Sequence, residues 1–157
     1  MDRTQLKTPL GILEIRGSSK GVHSVSFTEK SEVEIENTPE TLVDCKNQLQ
    51  AYFEGTLKEF SLRLDPEGTP FQKQVWTQLQ NLGYGKTSSY KEQTKVLGDP
   101  NAIRAVAGAN AKNPIAIVIP CHRVIGSNGK LTGYAGGLWR KKWLLEHENP
   151  PAQRSLF

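Results

Sequence analysis

The 157-residue chain predicts an α+β fold: a small N-terminal antiparallel sheet with one helix, then a mostly α second part that contains a helix-turn-helix. Three observations carry this. Residues 11–16 and 22–27 alternate apolar and polar side chains around a turn-like Ser18-Ser19-Lys20-Gly21, the period of a hairpin with one covered face. From residue 69 onward the apolar residues recur at helical spacing instead. The charge also reverses there. Residues 1–68 hold 8 basic and 12 acidic groups, a net of −4, whereas residues 69–157 hold 12 basic and 4 acidic groups, a net of +8.

Within the first part, Thr38-Pro39-Glu40 opens a helix, with Thr38 as cap and Pro39 at the first helical position, and Gly55 ends it. Leu42, Cys45, Leu49, Tyr52 and Phe53 fall on one stripe that packs on the sheet, which makes Cys45 a small buried apolar residue. A further short strand is expected over residues 60–64. Asp65-Pro66-Glu67-Gly68 then forms a connection. This divides the chain into an N-terminal αβ domain with its connection (1–68), a second domain (69–149) and a C-terminal tail (150–157).

The second part starts a helix at Thr69-Pro70, with Phe71, Val75, Leu79 and Leu82 on one face, and Gly83-Tyr84-Gly85 stops it. Ser88-Ser89 precedes a two-turn helix over residues 90–97 that ends at Gly98. Asp99 caps the next helix and Pro100 takes its first position; this helix runs over residues 101–111 and halts before Asn113-Pro114. Two short helices joined by Gly-Asp-Pro make the helix-turn-helix. The second of them carries Arg104 near its start and otherwise almost no bulk: Ala105, Ala107, Gly108, Ala109 and Ala111. A helix this slim approaches another surface closely, either a second helix or a DNA backbone, and the surrounding positive charge favours DNA. Residues 115–119 read as a buried extended run delivering Pro120-Cys121-His122-Arg123-Val124. A terminal helix over residues 138–148 turns Leu138, Trp139, Trp143, Leu144 and Leu145 inward.

Composition narrows the function classes. Hydrophobic residues make up 36% and charged residues 23%, mean hydropathy is −0.50, and no run approaches the roughly 18 apolar residues that a bilayer demands. No membrane partner is expected. Cys45 and Cys121 stand 76 positions apart with no export signal ahead of them, which argues against a disulfide and for the cytoplasm. His23, His122 and His147 show no paired-ligand spacing with the cysteines, so no metal is expected.

Cysteine attacks as the thiolate, and an adjacent base or positive charge brings its pKa into range. Cys121 beside His122 invites that reading, with Glu146 or Glu148 of the terminal helix as the acid that orients the imidazole. On spacing alone, a free cysteine beside a histidine is more often structural than catalytic.

Pro120-Cys121-His122-Arg123-Val124 resembles the active-site motif of the O6-alkylguanine-DNA alkyltransferases, bacterial type. The resemblance covers residues 69–149 in order: Tyr90, Arg104-Ala105-Val106, Asn113-Pro114, the cysteine motif, Gly133-Tyr134-Ala135-Gly136-Gly137, and Trp143 through Glu148. The first 68 residues fit the family's small αβ domain only in outline. The resemblance implies Cys121 as alkyl acceptor, His122 as base acting through a water, and Glu148 as the acid orienting it. It implies Asn113 as brace of the turn, and Tyr90 as the group that helps rotate the nucleotide and protonates the departing guanine. Arg104 is implied to enter the base stack, on a helix whose Ala105, Ala107, Gly108 and Ala109 face DNA. Val124, Tyr134, Ala135, Gly136 and Gly137 are implied as walls of the guanine pocket. No cofactor is implied, and the residues for the zinc site of some relatives are missing.

The reading is then direct reversal of DNA alkylation: irreversible, stoichiometric transfer from O6 of a flipped-out guanine in double-stranded DNA to Cys121, by a monomer. Two alternatives stand beside it, a lesion-binding or regulatory helix-turn-helix protein without chemistry, and a cysteine hydrolase using Cys121, His122 and Glu148. The tail has its own signal. Gln153-Arg154-Ser155-Leu156-Phe157 resembles the short peptide by which bacterial DNA-processing proteins dock on the sliding clamp, and Pro150-Pro151 holds it extended.

Overall fold

A computed structural model describes residues 1–35 and 37–150. It divides into two compact units, Met1–Glu67 with Pro114–Ala116, and Gly68–Asn113 with the chain from Ile117 onward. No described helix is long and apolar enough to cross a membrane.

The first unit is a three-stranded antiparallel sheet in the order β1 (Asp2–Thr8), β2 (Gly11–Ser18), β3 (Gly21–Phe27), with one helix, α1 (Glu40–Glu54). The hairpin of β2 and β3 forms where the alternation placed it, pairing Ile15 with Val25 and Ser18 with Gly21. Gly21 is required at the turn. Its φ is 136°, and a Cβ there would lie 2.7 Å from the Arg63 carbonyl. Strand β1 escaped the sequence reading because Thr4 and Gln5 are buried alongside Leu6, so apolar and polar residues do not alternate. Leu42, Cys45, Leu49 and Tyr52 of α1 are all fully buried, each leucine contributing about 1.5–3 kcal/mol.

Two local expectations fail here. Thr38 does not cap α1; Pro39 is the N-cap residue, and the Thr38 hydroxyl instead bonds that of Thr4 at 2.9 Å and accepts from Lys46 Nζ at 3.2 Å. Residues 60–64 form no strand, only a single parallel bridge between Val22 and Leu64. Ser61 spends its backbone groups on the Gln48 side chain, at 2.8 and 3.1 Å, so no ladder develops.

The second unit is mostly helical. Helix α2 (Pro70–Leu79) opens on a capping box in which the Thr69 hydroxyl accepts from Gln72 N–H and the Gln72 side chain accepts from Thr69 N–H. It ends at Leu79, four residues before the expected Gly83 stop, and its buried face is Val75, Trp76 and Leu79, with Phe71 and Leu82 only half covered. Trp76 donates to the Ala109 carbonyl at 2.8 Å and ties α2 to the helix that carries Ala109. A two-residue strand β4 (Ser88–Ser89) leads into α3 (Tyr90–Val96), capped by Ser89. After Gly98, Asp99 caps a 3-10 turn (Pro100–Ala102) that continues as α4 (Ile103–Ala111). Helices α3 and α4 pack on each other, the pair expected as a helix-turn-helix.

Residues 115–119 are buried apart from half-covered Ala116, and only Ile115 is extended as expected, in a parallel bridge with Val25. Ile117 has φ of 73°, in the left-handed region that β-branched residues avoid, so the segment turns rather than running as a strand. Pro120 then starts a 3-10 turn over Cys121–Arg123, followed by β5 (Val124–Ile125), parallel to β4. Helix α5 (Leu138–Glu148) has the expected bounds and a partly different buried face: Leu144 points in as expected, but beside Lys141 and Glu148, while Leu138 and Trp139 are 50% and 57% exposed.

Candidate active site

The 3-10 turn separates neighbouring side chains of the cysteine motif. Cys121 faces a cavity of about 520 Å³; His122 and Arg123 are buried on the other side of the turn with the end of α5. Helix α4 supplies one wall of the cavity through Ala107, Asn110 and Ala111. The loop before α5 supplies another through Thr132, Gly133, Tyr134 and Ala135, and Tyr90 completes the lining. The lining is chiefly small and apolar, with the polar groups of Tyr90, Asn110, Thr132 and Tyr134 set among it. That is the composition of a small-molecule site, apolar with a few polar groups that fix orientation.

Asn113, just past α4, donates through Nδ2 to Cys121 Sγ at 3.2 Å and to the Ile119 carbonyl at 2.8 Å. One amide thereby braces the backbone turn and offers a hydrogen bond to the sulfur. Burial pushes the Cys121 thiol up, and the Asn113 donor and the Lys141 charge oppose that rise without cancelling it.

His122 is fully buried, and its Nε2–H donates to Glu148 Oε2 at 2.7 Å. Its Nδ1 is buried and has no hydrogen-bond partner among the described residues. Burial lowers the imidazole pKa, so the ring is neutral at pH 7 and Nδ1 carries the lone pair, as a base must. Glu148 also takes Arg123 as a fork, Nε to Oε1 at 2.8 Å and Nη2 to Oε2 at 3.0 Å, and accepts from Gly85 N–H at 3.3 Å. Burial opposes its ionisation, yet the His122 hydrogen bond and the Arg123 guanidinium outweigh that and hold the carboxyl well below the usual range. Gly85, at φ of 75°, lets this contact form; a Cβ there would press to 3.1 Å on the Glu148 carbonyl.

Among the remaining expected site residues, Arg104 and Ala105 are exposed at the start of α4, and Gly108 has open space around its Cα. Ala107 lines the cavity. Ala109 corrects the expected DNA-facing stripe: it is 3% exposed and packs inward, its carbonyl taken by Trp76, because α4 turns successive residues 100° apart. Tyr134 and Ala135 line the cavity; Val124 is fully buried in β5, and neither it nor Gly136 or Gly137 is among the lining residues. Among the described residues no group of three or more His, Cys, Asp or Glu could hold a metal.

The sequence reading passed over Arg123 as an ion partner, Asn110 as a wall residue, and Lys141. A signal existed for Lys141: with Leu144 and Glu148 it follows the spacing of one helix face, and a reading that trusted Leu138 and Trp139 chose the wrong face.

Comparison with known proteins places this arrangement. The description "6-O-methylguanine DNA methyltransferase, ribonuclease-like domain" matches residues 1–66, and "6-O-methylguanine DNA methyltransferase, DNA binding domain" matches residues 70–150. A methylated-DNA–protein-cysteine methyltransferase of Methanosarcina acetivorans is 47% identical over 147 residues, 90% of this chain and 94% of its own. One of Mycobacterium tuberculosis is 44% identical over 158 residues, 97% of this chain and 96% of its own. The crystal structure of Mycobacterium tuberculosis OGT in complex with DNA superimposes with a TM-score of 0.87 at 42% identity, covering 100% of this chain and 99% of that one. That of the Pyrococcus kodakaraensis O6-methylguanine-DNA methyltransferase gives 0.71 at 25%, covering 94% and 98%. Both halves of the sequence, including the cysteine turn and the helix that closes on it, are thus accounted for by one lineage, and the chain belongs to the 6-O-methylguanine DNA methyltransferase family.

Proposed function

We propose that this protein repairs DNA by direct reversal, moving an alkyl group from O6 of guanine to Sγ of Cys121. The observation that carries the reading is the cavity wall on which Cys121 sits, with Asn113 donating to its sulfur. Behind the same turn stands a neutral imidazole already held by a carboxylate. His122 takes the thiol proton through a water at Nδ1; the thiolate attacks the alkyl carbon; the S–C bond forms as the C–O6 bond breaks, and the electron pair goes to the purine. Tyr90 protonates that leaving group and recovers its proton by relay from His122, so the thiol proton ends on guanine and no cofactor is consumed. The thioether has no route back, so each molecule acts once.

The alkyl carbon is out of reach in a stacked duplex, so the nucleotide must be flipped into the cavity. Extrusion costs a few kcal/mol, and Arg104, exposed at the start of α4 on the basic part of the chain, fits the vacated stack and offsets part of that. Residues 69–149 form the DNA-binding and transfer domain, working on double-stranded DNA as a monomer in the cytoplasm. The solved DNA complex of the mycobacterial relative supports DNA as the partner. The tail peptide Gln153-Arg154-Ser155-Leu156-Phe157, which lies outside the described residues, supports docking on a sliding clamp. Deleting residues 153–157 should then abolish clamp binding and spare repair of short oligonucleotides.

The deciding experiment is intact-protein mass spectrometry after incubation with duplex DNA containing O6-methylguanine. The expected result is a gain of one methyl group, mapped to Cys121, and one repaired base per protein molecule. Binding without a mass gain returns the protein to lesion recognition; repeated turnover makes it a hydrolase.

A further inference from the structure

Helix α5 begins with two large apolar side chains in the open, Leu138 and Trp139, each at least half exposed. The other two tryptophans are covered: Trp76 is buried, and Trp143 is half covered and stacked on His147. Trp139 is exposed yet held. The Arg140 guanidinium lies 4.7 Å from the centre of its ring, and Arg140 Nη1 donates in turn to the Gly136 carbonyl at 3.0 Å. Gly137, at φ of 93°, lets the ring lie against the backbone; a Cβ there would stand 3.4 Å from Trp139 Cδ1. Lys142, three positions on and exposed, is the neighbour of Trp139 on the helix surface. Residues 138–145 hold three bases and no acid. Burying apolar surface stabilises a fold, and a tryptophan fixed at the surface forgoes that gain.

We propose that Trp139, with Arg140 stacked on it and Lys142 beside it, is a platform for the lesion-bearing DNA strand next to the cavity. The proposal rests on the reading that a guanine is flipped into that cavity. Position, charge and chemistry select this occupant. Gly136, which holds Arg140, directly follows the cavity-lining Gly133, Tyr134 and Ala135, so a nucleotide entering the cavity brings its strand to the start of α5. A cationic patch without an acid suits a phosphate backbone and repels a basic protein surface, including a second copy of residues 69–157 with their net charge of +8. Flipping also unstacks the neighbours of the extruded nucleotide, and an aromatic ring carrying a guanidinium takes an open base or sugar face whatever the sequence. Because Arg140 and Gly137 already fix the ring, little rotamer freedom is left to lose on binding. Arg104 and Trp139 then divide the work: the first fills the gap in the stack, the second holds the strand beside it.

The test uses a Cys121→Ser background, in which a duplex carrying O6-methylguanine binds without reacting. Quenching of fluorescence by acrylamide, a neutral probe that the charge of DNA does not repel, reads chiefly Trp139, the most exposed of the three tryptophans. Bound duplex should cut the quenching constant about threefold, as stacking over the ring does, and this protection should be missing when Trp139→Phe is added. Trp139→Ala should weaken binding of the same duplex about tenfold, and Trp139→Phe should recover most of that loss. Lys142→Ala should reduce the slope of log affinity against log salt by about one. A tryptophan with a structural role alone would be quenched equally with and without DNA. Unchanged quenching, unaltered affinity in Trp139→Ala, or protection that arises without DNA as the protein self-associates overturns the proposal. Should the alanine variant not fold, the quenching of the Trp139-bearing protein decides. Failure of the native protein to gain a methyl group on Cys121 is a separate result, which removes the underlying reading instead.

Discussion

Cys45 and Cys121 are thiols in one chain with opposite surroundings. Cys45 sits on the covered face of α1 with Leu42, Leu49 and Tyr52, and burial alone pushes it up to about 12. Cys121 is also pushed up by burial, but it meets the Asn113 amide and the Lys141 charge, and it opens on a cavity. Burial therefore does not separate an inert cysteine from a reactive one. What separates them is whether a donor is aimed at the sulfur, and whether there is room beside it for a partner.

The largest expected effect tests that contrast directly. Cys121→Ser should abolish methyl transfer while leaving DNA binding and folding intact, since a serine hydroxyl ionises far too weakly to replace the thiolate. Cys45→Ser should do the reverse: full transfer, with stability reduced by about 1–3 kcal/mol for a hydroxyl buried among apolar side chains. Transfer surviving the first change, or lost in folded protein with the second, breaks the comparison; intact-mass analysis and thermal melts read both.

A smaller loss should follow Glu148→Gln. The amide no longer favours the Nε2–H tautomer of His122 as a carboxylate does, so transfer should slow by about 10²–10⁴-fold in single-turnover assays. The change also leaves the buried Arg123 guanidinium uncompensated, at about 3–5 kcal/mol. Loss of stability with an unaltered rate in the folded fraction would remove Glu148 from the reaction and leave it a support.

The smallest effect is one of pH. The folded His122 binds its proton below the ordinary 6.5, and folded Glu148 is held well below 4.5, so the unfolded chain takes up more protons as pH falls. Stability should decline first below about pH 6.5, as the imidazole is forced to charge, and further below about 4.5, as the carboxyl is forced to neutralise. Cys45→Ala should shift the whole curve without changing its shape between pH 5 and 8, because a thiol held near 12 does not titrate there. A change of shape would show Cys45 coupled to the site.

Local chemistry was legible wherever a residue's own backbone preference decided the outcome. Thr69-Pro70, Ser89, and Asp99-Pro100 started helices as read, and the alternation in residues 11–16 and 22–27 produced its hairpin. Strand β1, the lack of a strand over 60–64, the turn at Ile117 and the inward Lys141 and Glu148 of α5 were not legible in the sequence. Each of those depends on what a distant segment offers: Thr4 and Gln5 are buried without looking apolar, and Ser61 is claimed by Gln48. The same division holds at the site. Cys121 and His122 stand together in the chain, and their resemblance to a known motif needs no folding to be seen. That the turn sends them to opposite sides, that Arg123 rather than His122 carries the charge beside Glu148, and that Asn113 reaches the sulfur depend on distances of a few ångströms between segments up to 26 positions apart. Desolvation and charge pairing act through space, and only the folded chain sets those separations.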